Sequence, residues 1–179
     1  MPDPSLRIEL SHAELREIAR YAVMCALPAV DLFERECPGD KRPRTAIEGA
    51  QAFADGAARS KALRDAAWAA QRAAHAARDA GLPAASEAAR AALAAAGSAF
   101  LHPLAKATQV KHILGAAAYA ARALELAAGD DSAVADRHIA LSGLAATPVV
   151  RAVLKRYPPA PTGGGAVGAL IRQLDSSLR

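Results

Sequence analysis

Aromatic side chains are scarce in this chain: three Phe, three Tyr and a single Trp among 179 residues. No stretch alternates apolar and polar residues over a strand's length, so both signals of a β-sandwich or barrel are missing. Two cysteines, Cys25 and Cys37, are too few for a disulfide framework or a zinc site, and a reduced setting is the simplest reading. No apolar run reaches about 18 residues without a charge, which excludes a membrane-spanning helix. The opening residues MPDPSLRIEL lack a basic segment followed by an apolar one, so no secretory leader is expected and the chain reads as cytoplasmic. There is also no G-x-x-x-x-G-K-[ST], no glycine fingerprint after a strand, no H-E-x-x-H and no G-x-S-x-G. No cofactor and no metal is expected.

What is present is alanine, at 50 of the 179 positions and densest between Ala50 and Ala128. Alanine is the best helix former, and its methyl group lets helix backbones approach closely. The composition therefore predicts an all-α, single-domain bundle. Because alanine buries little area, the larger apolar residues must carry most of the burial, at roughly 25 cal/mol per Å². The net charge is +4, with Lys and Arg interspersed among Asp and Glu. That mild, mixed balance lacks the clustered basic face of a dedicated nucleic-acid binder.

The order of signals along the chain predicts seven or eight helices with short, antiparallel-favouring connections. Ser11 with Glu14 makes a capping-box pattern for the first helix, which Pro28 should kink or end. Pro43 suits the first turn of a second helix that stops near Gly56. Ser60 caps a third that runs to Gly81, and Pro83 opens a fourth that fades around Gly97. Leu101-His102-Pro103 is a break. A fifth helix is expected from about Leu104 to Ala128, and a sixth from an Asp131 or Ser132 cap through Leu144. Thr147-Pro148 starts a seventh ending at Tyr157. The expected organisation is a core bundle over residues 10–157, a Pro/Gly-rich flexible linker over 158–165, and a C-terminal helix within 166–179 with its clearest pattern from Ala166 to Leu174.

Three groups of residues are candidates for function. The first is His102, Lys106, His112 and Tyr119, which would line a pocket at one end of the bundle if the chain were a small enzyme; the plainer reading of each is a partly buried helix residue with a satisfied hydrogen bond. The second is Arg42, Arg44 and Glu48. Arg44 and Glu48 stand four apart and can pair, but two arginines at a helix N-terminus oppose its dipole. They are better explained by acidic partners, of which Asp31, Glu34, Glu36 and Asp40 are nearest in sequence. The third is the α-helical run holding Trp68, His75 and Arg78. Tryptophan is most often a core anchor; exposed, it is a strong interface residue.

Three segments stand in a recognisable order: Arg42-Pro43-Arg44-x-Ala46-Ile47-Glu48-x-Ala50, Ala70-x-x-Ala73-Ala74-His75-Ala76-Ala77-Arg78, and His112-Ile113-Leu114-Gly115-Ala116-Ala117-Ala118-Tyr119-Ala120. Over about residues 10–128 the chain resembles a group of alanine-rich, all-helical bacterial immunity proteins, some members of which carry the name of an SbcC-type exonuclease. The resemblance implies a cytoplasmic protein that binds and neutralises a protein partner, with a toxin as the candidate. It transfers no catalytic residues. Two other classes are set beside it: a small enzyme using the His102, Lys106, His112 and Tyr119 cluster, and a nucleic-acid-associated protein using Arg137, Arg151, Lys155, Arg156 and Arg172. A homodimer is compatible with an alanine-faced bundle.

Overall fold

Ser11 closes the capping box at the first helix. Its Oγ accepts from the Glu14 backbone N–H at 3.1 Å, and the Glu14 carboxylate accepts from Ser11 N at 2.9 Å. From there α1 runs over His12–Glu36. The computed structural model describes residues 7–179. Residues 1–6, part of the stretch read for a leader, lie outside the described residues.

Pro28 sits inside α1 and does not end it. Proline costs the helix one hydrogen bond and a steric clash, about 3 kcal/mol. Beyond it Ala29, Val30, Leu32 and Phe33 are all buried, and that packing outweighs the local penalty. Helix α2 follows over Arg42–Ala54, α3 over Lys61–Asp79 and α4 over Pro83–Ser98. Ser60 caps α3 through a 3.1 Å bond from Leu63 N.

The fifth helix starts later than its pattern suggests. A one-turn 3-10 helix, Ala107–Gln109, precedes α5 at Val110–Ala127. Residues before it are committed elsewhere: Leu104 bridges to Arg7, Ile8 N donates to Pro103 O at 3.0 Å, and His102 N donates to the Gln109 side chain at 3.0 Å. Helix α6 covers Ser132–Ala145 with Asp131 as its cap. Helix α7 covers Pro148–Leu154 and is capped by Thr147. It stops short of Tyr157, whose buried ring sends its hydroxyl to His102 O at 2.9 Å. Helix α8 spans Gly165–Leu178, four residues longer at its C-terminal end than the apolar pattern suggests, and Leu178 there is buried. The fold is all-α, and the described residues contain no strand.

Helix α4 is the axis of the bundle, packed against α1, α2, α3 and α5. Ala84, Ala85, Ala88, Ala89, Ala91, Ala92, Ala95 and Ala96 are all buried on it. Methyl groups on nearly every side let four helices close in at once. After the exposed Pro83 at its start, only Glu87, Arg90, Leu93, Ala94 and Gly97 keep partial exposure, and their spacing traces one narrow stripe. Ala92→Leu is expected to destabilise the fold by about 1–3 kcal/mol through overpacking, read as a lower urea midpoint. An unchanged midpoint would show that α4 is less closely hemmed in than this.

The segment between α7 and α8 is non-helical and needs its glycines. Gly163, Gly164 and Gly165 have φ of 87°, 77° and 60°, all left-handed. A Cβ on Gly168 would run into the Gly163 carbonyl. The buried Asp175 carboxylate accepts from Ala160 N and from Arg179 Nε, each at 2.8 Å, and so ties this segment to α8. Asp175→Ala is expected to cost about 1–3 kcal/mol, because it leaves the Ala160 donor without its partner. Hydrogen exchange should then speed up first at Ala160 and along α8; uniform exchange would contradict a local tie.

Candidate functional site

The open stripe of α4 forms the floor of a groove of about 530 Å³. One wall is α3, which contributes Arg64, Ala67, Trp68 and Gln71 at helical spacing. The other is α5, which contributes Lys111, His112 and Tyr119. Phe100 closes one end, just after α4. The groove exists because α4 carries small residues there: Ala94 and Gly97 keep the floor low while longer side chains rise from both walls.

Trp68 is 55% exposed, so it is no core anchor. The inward positions beside it on α3 are Ala67 and Ala70, both buried, which leaves the indole on the outer edge. The Arg64 guanidinium lies over the Phe100 ring at 5.1 Å, a cation–π contact that orders both side chains at the rim. Arg90 reaches Glu87 at 3.6 Å. Arg64 and Lys111 enter no ion pair among the described residues. Burial holds the His112 imidazole below its ordinary value, the Lys111 ammonium adds to this, and the Gly97 backbone opposes both. The groove is thus apolar and aromatic inside, cationic at its edges, and lined by no carboxylate.

The structure divides the sequence candidates. His112 and Tyr119 reach the groove, but His102 and Lys106 do not. His102 is exposed on the loop before α5, with its backbone engaged by Gln109 and Tyr157, and Lys106 is exposed on the same loop. Trp68 lines the groove; His75 and Arg78, further along α3, are exposed outside it, and Arg78 pairs with Asp79. Arg42 and Arg44 serve the α1–α2 junction. Arg42 forks onto Asp40 at 2.6–3.2 Å. Arg44 bonds Glu34 at 3.0 and 2.8 Å and Asp31 at 2.7 Å, which holds the Glu34 carboxyl below its usual value. Arg44 therefore pairs across to α1 instead of with Glu48, which is exposed on α2. Arg64, Arg90 and Phe100 were not legible as site residues. The available signal was that Arg64, Trp68 and Gln71 share one face of α3.

A second polar cluster joins α1 to α6 and is buried. The Tyr21 hydroxyl donates to Ser142 O at 3.1 Å, and His138 Nε2 lies 3.1 Å from Cys25 O. Burial raises the Cys25 thiol to about 11, so it is an inert core group. Burial lowers His138, partly offset by its bond to Cys25 O. Both His112 and His138 are thus held neutral in the fold. A depressed histidine contributes stability that is complete above its unfolded value near 6.5 and is lost as pH falls from there toward its folded value. Glu87, raised by burial, works in the opposite sense, retaining stability at acid pH. Glu14, lowered to about 2 chiefly by its bond from Arg156, acts only below about pH 4.5. The urea midpoint is expected to fall between pH 7.5 and 5.5, about the reference value for histidine. His138→Gln should shallow that fall, and an equal slope in the variant would place the titration elsewhere.

Among the described residues no three His, Cys, Asp or Glu side chains stand together in a way that would hold a metal ion. No described helix is long and apolar enough to cross a membrane. A cleft of about 960 Å³ beside Arg7 and Arg156 opens onto the first described residue. Of its three arginines, Arg156 donates to Glu9 O at 2.8 Å and to Glu14, and Arg59 donates to Ala99 O at 3.4 Å.

Fold and groove define a small all-α domain whose distinctive surface is an aromatic, cation-edged trough over a helix of alanines. The chain belongs to the family described as Imm-5 like putative immunity protein, whose family model matches residues 9–146, more than half of the chain. Every residue lining the groove falls inside that span, and α7 and α8 fall outside it. Comparison with curated proteins and with solved structures finds no match.

Proposed function

We propose that this protein acts as an immunity protein in the cytoplasm, binding a partner toxin and neutralising it, and that the α3–α4–α5 groove is the surface it presents. The observation that carries this is Trp68, the chain's single tryptophan, standing more than half exposed over an apolar trough. A large aromatic left in water beside a small-residue floor has the character of an interface hot spot. The family supports the immunity role.

Two other readings have less support. The enzyme reading needed four side chains to converge, and two of them lie off the groove. The nucleic-acid reading needed free guanidiniums. Arg151 donates to Gly143 O and Ala146 O, Arg156 to Glu9 O and Glu14, and Arg172 to Pro161 O and Gly163 O, which leaves only Arg137 and Lys155 of the five exposed without such a bond among the described residues.

The test is co-expression. Candidate toxin genes from the neighbourhood of this chain's own gene are introduced with and without it. Restored colony growth and a co-purifying complex are expected for one of them. Failure to relieve any toxic neighbour would remove the reading.

A further inference from the structure

We infer that the α3–α4–α5 groove receives a short acidic segment of the partner protein that carries one large apolar side chain. The inference rests on the proposal that the chain works by binding a protein, and it names the chemistry of the contact.

Charge is the first argument. Eight of the 17 arginines form ion pairs among the described residues, Arg78 with Asp79 and Arg90 with Glu87 among them. Arg20 meets Glu17, Arg42 meets Asp40, Arg44 meets Glu34 and Asp31, Arg122 meets Glu125 and Asp130, Arg156 meets Glu14, and Arg179 meets Asp175. In the groove, open cations flank an apolar and aromatic lining. Arg64 and Lys111 stand on opposite walls with no carboxylate, and Arg90 on the floor has only the 3.6 Å contact with Glu87. Carboxylates arriving on a partner would complete pairs left open on this face and would bring the two surfaces together faster than neutral ones.

Shape is the second argument. Trp68, Phe100 and Tyr119 place three aromatic rings around a floor of Leu93, Ala94 and Gly97. That depth suits one aliphatic or aromatic side chain, set between the Trp68 and Tyr119 rings and beside a Phe100 ring that Arg64 overlies. The wall from Lys111 to Tyr119 is about 12 Å long at the helical rise per residue, which matches about two turns of a partner helix. The segment is therefore short, with its carboxylates on either side of the apolar residue.

Trp68 provides the readout, because no other tryptophan contributes to the emission. The probe is a synthetic peptide of about 12 residues, slightly longer than two to three helical turns, with glutamates flanking a central leucine. Controls replace the glutamates by lysines, replace the leucine by serine, or substitute a short oligodeoxythymidylate. The glutamate–leucine peptide is expected to shift Trp68 emission to shorter wavelength, saturably, and with weaker binding as salt rises. Arg64→Glu with Lys111→Glu should weaken it at least about tenfold, and Arg64→Gln with Lys111→Gln less. Both positions are exposed, so the fold should survive, as circular dichroism would verify.

An emission spectrum indifferent to the acidic peptide would overturn the inference. So would an equal response to the lysine or serine peptide, or a tighter response to the oligonucleotide. The immunity reading is tested separately by toxin relief. Charge-reversed protein that still protects cells would sink the acidic-segment assignment and leave the immunity role standing. A saturable peptide response in a protein that relieves no toxin would do the reverse.

Discussion

Phe33→Ala is expected to cost about 3–5 kcal/mol of stability, the usual range for deleting a buried phenylalanine ring. The reason lies in the composition. Where much of the core is methyl groups, each large side chain accounts for a greater share of the buried area. Phe33 is fully buried near the end of α1, and only Tyr157 joins it as an aromatic among the largest fully buried side chains. The alanines around it cannot grow to fill the space, and helices already in close contact have little room to collapse, so a cavity persists. For a domain of about this size the loss corresponds to roughly 6–20 °C in thermal midpoint. Against a typical total of about 5–15 kcal/mol, that leaves a partly unfolded protein at moderate urea. Phe33→Leu should recover most of the loss. A cost below about 1 kcal/mol for the alanine variant would mean that the methyl groups hold the core without the ring.

Trp68→Ala is expected to do the opposite: leave the fold intact and remove function. An indole that is 55% exposed loses little burial on truncation, so stability should move by no more than about 0.5 kcal/mol. The same truncation at an interface hot spot costs about 2 kcal/mol or more in binding, a factor of about 30. Titration calorimetry with the partner that the co-expression test identifies, beside thermal melts of the free protein, separates the two effects. Trp68→Phe should retain part of the affinity, since an aromatic face remains to cover the floor. Matching losses in stability and binding would indicate a structural tryptophan, and unchanged binding would move the contact surface off the groove.

These two residues also show how differently parts of the molecule could be read beforehand. Local devices were legible because each is a contact between near neighbours. The Ser11–Glu14 box, the Ser60, Asp131 and Thr147 caps and the left-handed Gly81 all stand where side-chain chemistry demands them. Elements that depend on distant chain were left open or misplaced. α1 passes through Pro28 because residues beyond it are buried, and α5 starts late because Leu104 pairs with Arg7. The acidic partners of Arg42 and Arg44 could be nominated from proximity. The separation of His102 and Lys106 from His112 and Tyr119 could not, since the loop before α5 decides it.

By itself the amino-acid sequence determined that this chain would be helical, roughly where each helix begins, and which family it resembles; these follow from propensity, capping and short patterns that need no third dimension. The tertiary structure alone decided which side of α4 stays open and which side chains gather there. On an amphipathic helix the apolar stripe announces the buried face. On α4 nine of the sixteen positions are alanine, so beyond Glu87 and Arg90 the pattern names no face, and only the placement of α1, α2, α3 and α5 around it leaves the Arg90-to-Gly97 stripe to become a groove under Trp68.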